Sequence, residues 1–430
     1  MKLFTSTLGL MALAASAMAA EQGALSSKDP QVLRGAYLAR AGDCIACHTA
    51  PGGKPFAGGL PMKTPLGTVY STNITPDPKT GIGGYSFEDF DKAVRHGVGK
   101  ESASLYPAMP YTSYAYVKTA DVKALYAYFM QGVQPVAQAN KAVDIPWPLS
   151  MRWPLGLWRG MFAPSVTTDE TPVPDGDKIA LGRYLVTGLG HCSTCHTPRG
   201  AAMQEKASDD KGADFLSGAV IDGWLARNLR SDPADGLGQW SEQDIVTLLK
   251  TGRTDRAATF GSMAEVVEHS TQHLTDKDLS AIAAYLKTLP AAQPGKAALA
   301  YDNKAAKDMF NGTAKSSGAI EFLNNCAACH RTSGKGYAGV FPALAQNASV
   351  NAQDPASVIR IVLQGATVPG TVAAPASFTM PGFADRMTDK EVADVVSFVR
   401  GSWGNQAPSV SAQDVAKVRK GHVLPMAPAR

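Results

Sequence analysis

A chain of 430 residues is too long for one ordinary hydrophobic core, and its length points to about three domains. With 45% hydrophobic and 18% charged residues it has a globular composition, not a disordered or fibrous one. A formal net charge of +4, from 41 basic and 37 acidic residues, gives no reason to expect nucleic-acid binding.

Residues 1–20 read as a cleavable export signal. Lys2 provides the positive start, residues 3–15 are mostly apolar, and Ala17-Met18-Ala19 is a small-residue cleavage site. The alternative, an uncleaved anchor, is disfavoured by the short apolar run. No later stretch has 18 or more apolar residues, so no membrane-spanning helix is expected in the mature chain. A short helix over 32–38 then leads into Cys44-Ile-Ala-Cys47-His48. A second helix is expected over 86–95. A third carries Val122, Leu125, Tyr126 and Phe129 at i, i+3, i+4 and i+7.

Residues 136–175 form a Pro/Trp-rich linker that holds Trp147, Trp153 and Trp158, three of the six tryptophans. Its prolines forbid a continuous helix. Its first reading is a strap packed across the surface, and its second is an exposed apolar patch for a partner, a quinone or a membrane. The order of elements then repeats. A helix over 181–185 precedes Cys192-Ser-Thr-Cys195-His196, a second helix spans 241–250, and a third carries Leu279, Ile282, Ala283 and Leu286. It repeats again after an Ala/Pro-rich linker. A helix over 318–323 precedes Cys326-Ala-Ala-Cys329-His330, a second spans 355–363, and a third carries Val392, Val395, Val396 and Val399. Thr275 and Thr388 are expected to cap the last two closing helices, with Asp278 and Glu391 as the returning carboxylates. Residues 403–430 read as a polar tail with a basic cluster at Lys417, Arg419 and Lys420. His96, His191 and His422 read as structural or solvated.

The three Cys-x-x-Cys-His strings use all six cysteines. This is the attachment pattern of c-type haem: two thiols add to the haem vinyl groups, and the adjacent histidine ligates the iron. A zinc site draws four ligands from paired motifs, and a redox dithiol has no need of a following histidine three times over. The motifs are 148 and 134 residues apart, so each has a domain-sized stretch of chain. Three haems bring propionates that would make the loaded protein acidic. Export fits, because c-type haem is attached outside the bacterial cytoplasm, and it leaves no cysteine for disulfides. Pairs of helices with apolar stripes closing around each haem give an expected all-α fold.

Longer strings sharpen this. They are Ser71-Thr-Asn-Ile-Thr-Pro-Asp77 with Thr80-Gly-Ile-Gly83, then Leu229-Arg-Ser-Asp232, Gly236-Leu-Gly-Gln-Trp240 and Phe260-Gly-Ser-Met263, and finally Thr379-Met-Pro-Gly-Phe383. On these residues the chain resembles the triheme cytochrome c subunit of bacterial membrane-bound sugar, polyol, alcohol and aldehyde dehydrogenases, over nearly all of 28–402. The resemblance implies three tandem class I cytochrome c domains at 28–135, 176–290 and 305–402, each enclosing one covalent haem. Class I domains carry a methionine late in the domain as the second axial ligand, which raises the potential and makes an electron carrier. Met109, Met263 and Met380 answer to that, 61, 67 and 50 residues after their histidines, each expected in the loop before a closing helix. The expected site is therefore covalent haem at Cys44, Cys47, Cys192, Cys195, Cys326 and Cys329. Its axial pairs are His48 with Met109, His196 with Met263 and His330 with Met380. His269 and His273 lie near Met263 and read as surface residues of the helix entry.

The resemblance implies a protein of the bacterial periplasm, at the outer face of the cytoplasmic membrane. There it would pass electrons from a catalytic dehydrogenase subunit to ubiquinone, with a small secreted third subunit and the membrane surface as further partners. No residue of this chain is expected to catalyse substrate oxidation. The short tail, without the hydrophobic C-terminal anchor some relatives carry, favours a flavin-dependent, gluconate-type partner. The alternatives are a quinohaemoprotein (PQQ) alcohol dehydrogenase partner and, from another class, a multihaem peroxidase or reductase with one open iron.

Overall fold

The structure, a computed structural model, describes residues 27–421. The expected export signal, His422 and the end of the expected tail lie outside the described residues. Each haem motif is preceded by an opening helix: Pro30–Ala41, Lys178–Thr187 and Ser317–Asn325. The first starts on a proline, whose missing N–H would have had no helical partner, and Asp29 Oδ1 accepts the Gln31 N–H at 2.8 Å. Each motif is followed, much later, by a closing helix: Thr119–Gln131, Asp276–Thr288 and Asp389–Arg400. The last two begin on the expected threonines, Thr275 accepting from the Asp278 N–H at 3.1 Å and Thr388 from the Glu391 N–H at 3.3 Å.

Opening and closing helices cross at one glycine per pair. A side chain on Gly35, Gly182 or Gly318 would place its Cβ closer than 3.0 Å to the carbonyl oxygens of Ala124, Ala281 and Asp394 respectively. The apolar stripes then bury. Val122, Leu125 and Phe129 are almost fully covered in the first pair, as are Leu279, Ala283 and Tyr285 in the second and Val392, Val395 and Val396 in the third. Each large side chain so covered contributes about 1.5–3 kcal/mol. By comparison the Arg34–Asp121 pair at the first crossing, 2.7 Å but half-exposed on the arginine side, is worth little. Between opening and closing elements lie the second helices, Phe87–His96, Glu242–Thr251 and Ala356–Gln364. Ser86 and Ser241 cap the first two with full capping boxes to Asp89 and Asp244.

The all-α expectation needs correcting. Three antiparallel hairpins stand among the helices: β1–β2 (Pro61–Thr64 with Gly67–Tyr70), β3–β4 (Ala219–Ile221 with Trp224–Ala226) and β5–β6 (Gly365–Val368 with Phe378–Pro381). The middle one has a stated cause in its turn. Asp222 and Gly223 both take positive φ, 52° and 73°, which is the two-residue loop that Asp-Gly favours between strands. The described chain forms two compact units. One contains residues up to Ala39, Cys44–Met109 and Lys118–Leu157; the other contains Arg40–Asp43, Pro110–Val117 and the chain from Trp158 on, including the second and third haem motifs. Within the second unit the segments of the second and third motifs touch directly. Leu225 N–H donates to Ser357 Oγ at 2.7 Å, and the Arg360 guanidinium lies 4.8 Å over the Trp224 ring.

The Pro/Trp-rich linker is also more structured than its prolines suggested. A helix runs over Trp153–Phe162, with Pro154 in its first turn where no N–H is missed. The run packs down only in part: Asp144, just ahead of it, pairs with Thr68 through two backbone hydrogen bonds, and Ile145 is buried, but two of the tryptophans that follow stand out. Trp147 is 81% exposed and Trp153 66%, with Leu149 and Leu157 exposed beside them. The expected polar tail begins with Trp403, buried against Phe322 and Phe398 and donating from Nε1 to Thr332 O at 2.9 Å. It continues into a helix over Ala412–Lys420 that buries Val415 and ties Arg419 to Asp389 at 2.7 Å. Among the described residues no helix is long and apolar enough to cross a membrane.

The glycine crossing sets a sign that exposed helices do not share. In an exposed helix Gly→Ala stabilises by about 1 kcal/mol. Here G182A is expected to destabilise by about 1–3 kcal/mol, because its Cβ meets backbone that cannot yield. Thermal melts of the two proteins check this, and a raised midpoint would refute the crossing.

Candidate functional site

Each Cys-x-x-Cys-His string folds into a tight helical turn: Cys44–Cys47, Ser193–His196 and Ala327–His330. The histidine N–H closes the turn on the first cysteine's carbonyl, at 3.0 Å for His48 and His196 and 2.9 Å for His330. Positions i, i+3 and i+4 of a helical turn share one face, so the two thiols and the imidazole are presented together. Each imidazole is then held from behind. Nδ1 of His48, His196 and His330 lies 2.7, 2.7 and 3.1 Å from the carbonyl oxygens of Thr72, Arg227 and Pro342. A carbonyl only accepts, so Nδ1 must carry the proton and Nε2 must carry the lone pair. Burial lowers the basicity of all three rings, that of His196 to about 4, so they are neutral ligands and not cations.

The structure gathers the expected residues of the second and third sites into one apolar cavity. Cys192, Cys195, His196 and Met263 line it at one motif, and Cys326, His330 and Met380 at the other. Its walls come from the opening, second and closing helices, through Leu185, Leu286, Phe322, Val358 and Val396 among others. The residues of the first site, Cys44, Cys47, His48 and Met109, fall within one compact unit. Met109 lies in a turn before the short helix Tyr111–Tyr114, as a loop residue should. The other two depart from the loop expectation: Met263 is the second residue of the helix Ser262–His269, and Met380 sits in β6 opposite Ala366. His269 and His273 are half-buried, His273 with Nε2 3.2 Å from Glu268 O.

These donors suit a covalently attached haem and not the other candidates. None of the six cysteines is in a disulfide. Burial, then repulsion from the neighbouring thiol, pushes Cys192 up to about 12 and Cys326 to about 11, the opposite of a reactive dithiol. Among the described residues no group of three or more His, Cys, Asp and Glu side chains could hold a bare metal ion. Paired thiols, a neutral imidazole oriented on its far nitrogen and an apolar slot together define a c-type cytochrome.

Comparison with known proteins agrees and goes further. The cytochrome c family profile matches residues 179–290 and 316–403. The chain is 57% identical over 399 residues to the gluconate 2-dehydrogenase cytochrome c subunit of Pantoea cypripedii, covering 92% of this chain and 90% of that one. It is 55% identical over 393 residues to the alcohol dehydrogenase (quinone) cytochrome c subunit of Gluconacetobacter polyoxogenes, covering 90% and 84%. It is 38% identical over 417 residues to the fructose dehydrogenase cytochrome subunit of Gluconobacter japonicus, covering 92% and 84%. The chain belongs to this family of dehydrogenase cytochrome c subunits, and as such it carries covalently bound haem c.

One group escaped the sequence reading. Asp43, immediately before Cys44, takes a φ of 48° and is buried with its Oδ1 unpartnered. His191, which precedes Cys192, lies nearby in the chain's packing, its Nε2 3.3 Å from Gly42 O and its ring edge-on to Tyr114. Burial, then the charge of Glu265, raises Asp43 to about 8. The only sequence signal was its position, an acid in the Ala-Gly-Asp run between an apolar helix and a haem motif. A carboxyl that is protonated when folded and ionised when unfolded weakens the fold as pH rises from about 4 to about 8, and no further above that. D43N lacks this term. Its thermal midpoint is therefore expected to gain on the wild type steadily from pH 4 to pH 8; a pH-independent difference would show that Asp43 ionises freely.

Proposed function

We propose that this chain is the electron-carrying subunit of an exported dehydrogenase complex. It holds three haem c groups and relays electrons from a flavin-type sugar or polyol dehydrogenase subunit to ubiquinone, at the outer face of the cytoplasmic membrane. The observation that carries the reading is the threefold recurrence of a thiol pair with an imidazole held through Nδ1 on a backbone carbonyl. Haem iron, when bound, takes up and releases one electron at a time. The chain's own residues do the rest. Cys44 and Cys47, Cys192 and Cys195, and Cys326 and Cys329 anchor the three groups. His48, His196 and His330 present Nε2 to the irons. Met109, Met263 and Met380 would be the second ligands that hold the irons, and thioether ligation would favour the reduced state and close the irons to external molecules. Apolar walls around the second and third sites exclude water and cut the reorganisation that each electron transfer requires.

The gluconate 2-dehydrogenase relative supports a gluconate-type partner, for which the motif resemblance implies a flavin-dependent subunit and a small secreted third component. The near-equal identity to the alcohol dehydrogenase (quinone) relatives supports a second reading, a PQQ-containing partner. The cofactor of the subunit that copurifies with this chain distinguishes the two. Methionines lining the cavity beside His196 and His330 disfavour a peroxidase or reductase with an open iron.

Intact mass of the matured protein is expected to show three covalent haems and loss of the export signal; fewer haems would refute the count. Deleting the chain is expected to abolish substrate-driven ubiquinone reduction while the partner still reduces soluble dyes, and undiminished quinone reduction would refute the relay. The exposed run at Trp147, Leu149, Trp153 and Leu157 supports contact with the membrane surface, where tryptophans sit well at the headgroup level. W147S/W153S is accordingly expected to weaken sedimentation with vesicles of phosphatidylethanolamine and phosphatidylglycerol by tenfold or more, with the haem spectrum unchanged. Equal binding of the two proteins would remove that surface from the reading.

A further inference from the structure

A second cavity, of about 400 Å³, adjoins the apolar one and differs from it in character. It is lined by Arg227, Trp240, Arg256, Lys335 and Asn347 among others, and by none of the haem-motif cysteines, histidines or candidate methionines. Three cations, Arg227, Arg256 and Lys335, line it with one carboxylate, Asp255; Arg256 also reaches Asp244 Oδ2 at 3.6 Å, and Asp235 acts on Arg227 from outside the lining. Four residues line both cavities: Arg227 and Trp240 from the second motif's segment, Ala343 and Asn347 from the third's. The polar chamber therefore borders the apolar cavity on the sides of both the second and the third motif's segments.

Arg227 has no settled partner there. Its carbonyl is the one that holds His196 Nδ1, and its guanidinium lies 5.0 Å over the Trp240 ring. Its Nε is enclosed without a hydrogen-bond partner, and the one contact recorded for the rest of the fork, Nη2 to Gly236 O, is 3.5 Å long. An enclosed guanidinium N–H left unpaired is costly, and the fork geometry suits a carboxylate. The haem supplies one by its own chemistry. Its vinyl edge would be fixed at the thiols and its two carboxylates would stand at the opposite edge, and no motif cysteine lines the chamber. Thr72 and Pro342, whose carbonyls do for His48 and His330 what that of Arg227 does for His196, carry no charge. The cation is thus specific to the second site.

We propose that this chamber receives carboxylates of both the second and the third haem, and that Arg227 is a positioning residue that pairs with a carboxylate of the haem attached at Cys192 and Cys195 and raises its reduction potential. Lys335 and Arg256 complete the positive lining, so the two haems share one electrostatic compartment. Removing a cation beside a haem carboxylate leaves more negative charge near the iron and favours the ferric state.

The inference rests on the three-haem reading, so haem content by intact mass comes first; a deficit there in the wild type counts against that reading and not this one. Spectroelectrochemical titration of fully loaded R227Q is then expected to lower the reduction equilibrium constant of one haem tenfold or more, which for one electron is 59 mV. In an M263H background the displaced potential should belong to the haem with the altered spectrum. K335Q should lower the third haem's potential, and R227K, which keeps the charge, should restore most of the R227Q loss. Unchanged potentials in R227Q, or equal losses in R227K and R227Q, would overturn the proposal. Where R227Q loses a haem, redox-difference infrared spectra with haem ¹³C-labelled in its carboxylates decide. The labelled bands must differ between R227K and wild type, and identical bands overturn it.

Discussion

The close crossing of each opening helix on its closing helix is the contact on which the rest depends. It is possible only because Gly35, Gly182 and Gly318 offer no side chain to the carbonyls of Ala124, Ala281 and Asp394. With backbones that near, the apolar stripes of the closing helices bury almost entirely, Tyr126 alone staying half-buried. The haem motif at the end of one helix and the methionine-bearing stretch ahead of the other are then drawn toward a common slot. A larger residue at the crossing would separate these two ends of the site before it changed anything in the site itself.

Within that frame the three histidines are made alike by backbone and made different by side chains. Each donates its Nδ1 proton to a main-chain carbonyl, a bond that fixes the tautomer and ring plane regardless of which residue supplies the oxygen. The suppliers are Thr72, Arg227 and Pro342. Backbone thus provides the invariant requirement of the chemistry, and the side chain at the same position is left to set the surroundings of each site. Asp43 and Arg227 are titratable groups that the fold encloses, each with one buried polar atom left without a partner.

Much of the helical framework was legible. The i, i+3, i+4, i+7 stripes marked all three closing helices, and Thr388 with Glu391 marked the start of the last. What was missed was short or local. Asp222-Gly223 between Ala-Val-Ile and Trp-Leu-Ala is a hairpin signal, but three-residue strands are too short to show alternation against a helical background. In 403–421 one buried tryptophan and two buried valines, Val410 and Val415, suffice to seat a stretch that is polar on average. Pro154 could be read as a helix breaker only if it stood in the interior; it stands in the first turn.

The sequence by itself determined the chemistry. Thiol pairs with an adjacent histidine are contiguous, and the face they share follows from the geometry of one helical turn. Tertiary structure alone decided how the segments associate. Leu225 meets Ser357, Trp224 meets Arg360, and Arg227, Arg256 and Lys335 meet in one chamber across more than a hundred residues of chain. No local period or spacing encodes such meetings. They depend on which surfaces are left to bury once each helix pair has closed, and on which charges the burial then strands together.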